Sequence, residues 1–89
     1  MNLNNYEKRL ETRVRKFKDD YYLLGNKKSY LLNYTGAVVL KYIGTDIELE
    51  TVVKKISDFY KEDDSERIKD DIENFIEFLV LENLVTSKV

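Results

Sequence analysis

The side chains available for chemistry in this chain are carboxylates, lysines, arginines and tyrosines, because it contains no His and no Cys. The commonest general base and the commonest metal ligand are therefore missing, along with any thiol nucleophile or disulfide. Carboxylates alone can hold Mg or Ca, yet no stretch has the D-x-[DN]-x-[DN]-G spacing of a calcium loop. The acids cluster instead: residues 61–82 carry nine acidic against three basic side chains, and residues 1–20 carry six basic against four acidic. One end is mildly basic and the other distinctly acidic. The reading is a noncatalytic protein with no cofactor and no metal.

At 89 residues the chain has the length of one domain, 1–89. Hydrophobic residues at 43% and charged residues at 36% suffice for a core and exclude a disordered chain. No apolar run approaches the ~20 residues needed to span a bilayer. The start, MNLNNYEKRL, lacks the apolar stretch and cleavage site of a signal peptide. These features predict a cytoplasmic location. Residues 1–11 are polar and are expected to be loosely ordered.

The elements that must position any site follow from periodicity and punctuation. Thr12 to Lys18 reads as a first strand. Tyr21 to Leu24 and Lys28 to Leu32 read as a hairpin, with Gly25-Asn26 supplying positive φ. Asn33 caps a first helix over 34–43, which stops at Gly44. Thr45 or Asp46 caps a second helix over 47–60, and Asp63, Asp64 or Ser65 caps a third over 65–82. Leu84 to Thr86 suggests a short closing strand. The fold class is α+β: a small winged helix-turn-helix domain with a three-stranded antiparallel sheet followed by three helices.

The third helix carries two stripes. Ile68, Ile72, Phe75, Ile76 and Leu79 form a core face, and Arg67, Asp71, Asn74, Phe78 and Leu81 follow a neighbouring face. A helix apolar on more than one face is covered on more than one face, by its own fold or by a partner.

Three segments stand out: Tyr22-Leu23-Leu24 with Tyr30-Leu31-Leu32-Asn33, then Asn33-Tyr34-Thr35-Gly36-Ala37 closed by Gly44, then Asp71-Ile72-Glu73-Asn74-Phe75-Ile76 leading through Leu79 to Glu82-Asn83-Leu84-Val85. In this order they resemble the PqqD-like family of peptide chaperones. The resemblance spans residues 14–85. Asn83 stands where the family often has a glycine, a place Asn tolerates because it visits the left-handed region. The hairpin loop lacks the Pro or acidic residues of some members. The resemblance implies that the leader segment of a ribosomally made precursor peptide adds as a strand along Lys28 to Leu32, in a groove walled by the third helix. A separate enzyme, often a radical S-adenosylmethionine maturase, then modifies the peptide. The implied peptide-binding residues are Lys28, Ser29, Tyr30, Leu31, Arg67, Asp71, Asn74, Phe75 and Phe78.

For Phe75 and Tyr30 the spacing fits the core as well as a groove, and the charges near Asp71 fit a solvated face. Two other functions fit the fold class: a protein–protein adaptor or regulatory subunit, and a winged-helix DNA-binding protein. DNA binding needs Lys and Arg on the presented helix. The first half of the third helix, SERIKDDIENF, is acidic and would be repelled by a duplex, so the partners read from the sequence are peptide and enzyme, with no nucleic acid and no membrane.

Overall fold

In the computed structural model, which describes residues 1–88, a 3-10 turn (Leu3–Asn5) leads into a short strand β1 (Tyr6–Lys8). An antiparallel meander follows: β2 (Arg13–Phe17), β3 (Asp20–Gly25) and β4 (Lys28–Leu32), in the order β2-β3-β4. Three helices come next, α1 (Tyr34–Tyr42), α2 (Leu49–Tyr60) and α3 (Ser65–Leu81). A last strand β5 (Val85–Ser87) pairs with β1. The architecture is α+β, with a three-stranded antiparallel sheet followed by three helices.

Strand alternation decides which sheet face is buried. Val14, Leu23 and Tyr30 lie opposite one another across the three strands, and Leu23 is fully buried beneath the helices. The next row, Arg15, Tyr22 and Leu31, faces outward, and Leu31 is 66% exposed. Both hairpins close through two-residue loops. In the β3–β4 loop the positive φ angles fall on Asn26 (50°) and Lys27 (59°) rather than on Gly25-Asn26. This primed turn matches the twist of the strands it joins. Gly25 ends β3 opposite Lys28, and its value is space: a Cβ there would sit 2.7 Å from Leu84 Cδ2 and 3.1 Å from Thr12 Oγ1.

The helix ends follow local chemistry. Asn33 caps α1 by accepting a bond from the Gly36 N–H at 2.8 Å. Asp64 caps α3 by accepting from the Arg67 N–H at 3.1 Å. At the end of α3, Asn83 takes φ 58°. Its N–H donates to the Val80 carbonyl and the Leu84 N–H donates to the Leu79 carbonyl, the paired bonds of a Schellman closure. Asn83 thus does the work of the expected glycine.

Residues 1–11, expected to be loosely ordered, are instead tied down. Leu3 is fully buried in the core, and β1 pairs with β5 from Tyr6↔Ser87 to Lys8↔Val85. The tie is made mainly by backbone, which a polar composition conceals. The Leu3 N–H donates to the Ile47 carbonyl, the Leu49 N–H to the Met1 carbonyl and the Gly44 N–H to the Leu3 carbonyl, at 2.8–2.9 Å. This also corrects the start of the second helix. α2 begins at Leu49 without a side-chain cap, because the Met1 carbonyl satisfies its first N–H. Thr45 bonds back to the Tyr42 carbonyl and Asp46 accepts from Asn2 Nδ2, so neither caps α2.

The core joins Leu23 of the sheet to Val39 and Leu40 of α1, Leu49, Val52 and Ile56 of α2, and Ile68, Ile72, Ile76 and Leu79 of α3. This packing leaves the neighbouring stripe of α3 facing β4.

Candidate functional site

β4 is an edge strand, paired with β3 on one side only among the described residues. Helix α3 runs beside it in the opposite direction. Glu82, just after the helix, meets Lys28, Phe78 meets Tyr30, and Phe75 lies by the start of α1 near Leu32. Gly36 leaves room for Leu32 and the capping Asn33: a Cβ there would lie 3.1 Å from Leu32 Cδ2 and 3.3 Å from Asn33 Oδ1, with Phe75 Cζ at 3.4 Å.

The aromatic wall is continuous. The Tyr30 and Phe78 rings meet edge to face at 5.6 Å between centroids, and Phe78 lies 6.3 Å from Phe75 with the rings nearly parallel. Phe78 remains 38% exposed. Phe75 is half-buried, so it serves the core and the groove at once. With Asp20, Leu31, Leu32 and Asn33, Phe75 lines an open cavity of about 470 Å³. A second depression of about 410 Å³ shares Asn33 and is lined by Tyr60, Arg67 and Asp71 among others. The structure therefore brings Tyr30, Leu31, Phe75 and Phe78 together at one groove, with Arg67 and Asp71 at its extension. Ser29 lies opposite Leu24 on the outward face of the sheet. Asn74 is exposed on α3.

One end of the groove is closed by Glu82, a residue absent from the sequence-based set. Its carboxylate accepts from the Tyr30 hydroxyl at 2.8 Å and from Lys28 Nζ at 3.2 Å, and its backbone carbonyl accepts from Asn26 Nδ2. The i, i+4 step from Phe78 puts Glu82 on the same face, but nothing local in the sequence pairs it with Lys28 and Tyr30, over fifty residues earlier. The hydrogen bond from Tyr30 holds the Glu82 carboxyl below the usual carboxylate range, aided by Lys28. The bond to Glu82 in turn raises the Tyr30 phenol and the Lys28 ammonium.

This arrangement offers an unpaired strand edge beside an apolar aromatic wall; strand addition requires such an edge and pockets for alternate side chains. Lysines at Lys27 and Lys28 and the short length guard the edge against indiscriminate pairing. Among the described residues no group of side chains is placed to hold a metal ion, and no helix is long and apolar enough to cross a membrane.

A three-stranded antiparallel sheet whose free edge runs beside the last of three helices defines the class: a small α+β fold with an open strand edge in a helix-walled groove. The model of the family "Coenzyme PQQ synthesis protein D (PqqD)" matches residues 20–85, from the first residue of β3 to the first residue of β5, and the chain belongs to this family. No curated protein and no solved structure matches the chain.

Proposed function

We propose that this protein is a noncatalytic, cytoplasmic peptide chaperone on a winged-helix scaffold. It binds the leader segment of a ribosomally made precursor peptide and presents it to a separate modifying enzyme, in this family often a radical S-adenosylmethionine maturase. The observation that carries this reading is the unpaired edge of β4 beside the wall of Tyr30, Phe75 and Phe78. The leader pairs with the Lys28–Leu32 backbone and sets one apolar side chain against Phe78. That burial is worth about 1.5–3 kcal/mol. Acidic side chains along α3, Asp71 at the groove among them, favour a leader carrying Lys or Arg and act more on encounter rate than on affinity. Ser29, Arg67 and Asn74 supply polar contacts along the bound strand.

The test is isothermal titration with the leader of a precursor peptide encoded beside this gene, against a scrambled leader. Saturable binding of the true leader alone is expected. Absence of binding near ~100 μM, about −5.5 kcal/mol, would replace this reading with that of a protein–protein adaptor.

A further inference from the structure

A cavity larger than the two depressions at the β4 groove lies elsewhere on the molecule. It lies between the sheet and α1, holds about 590 Å³, and no residue of β4 or α3 lines it. That size is in the range of built ligand clefts, roughly 300–1,000 Å³. Its less exposed lining is apolar, formed by Val14, Ala37, Val38 and Leu40, with the rings of Tyr21, Tyr34 and Tyr42 around it. Every charged side chain in the lining is a lysine: Lys8 from β1, Lys41 from α1 and Lys55 from α2. A fourth, Lys16, lies 5.7 Å from the centre of the Tyr21 ring. None of the four is in an ion pair among the described residues. Lys8 donates to the Leu40 carbonyl, and Lys41 and Lys55 rest on the Tyr42 ring at 5.5 and 5.8 Å. A chain with net charge −2 thus lines one apolar hollow with three lysines and sets a fourth against a ring at its border.

The geometry points to this cavity as a second docking site, one that takes an acidic segment of a partner protein, with an aromatic or branched aliphatic side chain in the apolar hollow and Asp or Glu on either side reaching the lysines. A small free anion fits less well, because Lys41 and Lys55 lie along Tyr42 rather than converging on the floor, and the floor offers carbon. Lys8 and Val14 precede the stretch matched by the family, and the other lining residues lie within it. The inference does not depend on leader binding at β4, since the two sites share no lining residue.

The test selects a random peptide library displayed on phage against the full chain and remakes the selected peptides for titration. Selected peptides are expected to carry Asp or Glu flanking an aromatic or aliphatic residue. Their affinity should fall at least about tenfold for K41E/K55E and weaken with added salt. It should survive K41R/K55R and stay unchanged in Phe78→Ala. Both lysines are exposed, so the variants should stay folded, with a modest drop in thermal midpoint from the lost contacts to Tyr42 and the acid placed at the end of α1. Peptides without acidic residues, peptides that compete with the leader, or affinity unmoved in K41E/K55E would overturn the assignment. So would dimerisation of the chain that K41E/K55E abolishes, since the occupant would then be the acidic α3 of a second copy. Failure of the leader to bind would leave every one of these outcomes readable.

Discussion

Phe78→Ala separates the groove from the core more cleanly than any other single change. The ring is 38% exposed, so a little over three-fifths of it is already covered by Tyr30, Phe75 and the helix. Truncating a fully buried Phe costs about 3–5 kcal/mol. Scaled to the covered part, and with no closed cavity left behind, the expected loss of stability is about 1.5–2.5 kcal/mol. A chain of this length is stable by roughly 4–13 kcal/mol, so the variant should stay folded. Leader binding should fall further than stability alone explains. The leader side chain that seats on Phe78 loses about 1.5–3 kcal/mol of burial, which is about 10- to 150-fold in Kd. Chemical denaturation reads the first number and titration with the neighbouring leader peptide reads the second. Phe17→Ala is the control, because Phe17 is 65% exposed on β2, at the opposite edge of the sheet, and it should leave affinity unchanged. A Phe78→Ala protein that is destabilised as expected yet binds the leader within about twofold of the parent would refute the groove argument.

Three further outcomes follow from the fold. Leu3→Ala should lower stability by about 2–5 kcal/mol in denaturant unfolding, because Leu3 is fully buried; a change near zero would mean the amino-terminal segment is not docked in solution. Asn83→Ala should cost about 1–2 kcal/mol at φ 58° and Asn83→Gly should be neutral or stabilising; equal losses in thermal melts would mean that the Asn side chain, not its backbone, closes α3. The third concerns Glu82 and pH. Its carboxyl is lowered, so its contribution is present above the unfolded carboxylate pKa and lost as pH falls through the folded one. The Tyr30 phenol is raised, so its contribution is present below the unfolded phenol pKa and lost as pH rises through the folded one. The stability difference between parent and Glu82→Gln should therefore be widest between about pH 5 and 9 and shrink at both extremes. In an absorbance titration the late-ionising phenol of the parent should move back toward the ordinary tyrosine range in the variant.

Much of this frame was legible because the sequence signals were local. Asn33 and Asp64 are short polar caps, and they cap. The i, i+4 rows of α3 put Ile68, Ile72, Ile76 and Leu79 inside and Phe78 at the surface. What escaped was non-local. Nothing in MNLNNYEKRL announces that Leu3 will fill a core position or that the Met1 carbonyl will satisfy the start of α2, because those bonds are made by backbone across more than forty residues. Glu82 was hidden for the same reason. Its partners Lys28 and Tyr30 lie over fifty residues earlier, and only the antiparallel course of α3 along β4 brings them together. The turn was misplaced by one residue because Gly25 looks like a φ donor, while its true duty is to leave room for Leu84 and Thr12.

The most direct test of strand addition at β4 is amide hydrogen exchange followed by NMR, on the labelled protein with and without the leader peptide encoded beside it. Binding as proposed should add protection to amides within Lys28–Leu32 and shift resonances from Asp71 to Glu82, leaving Lys8, Val38 and Lys41 unmoved. Protection confined to the sheet–α1 cavity, with the β4 amides exchanging as in the free protein, would contradict it.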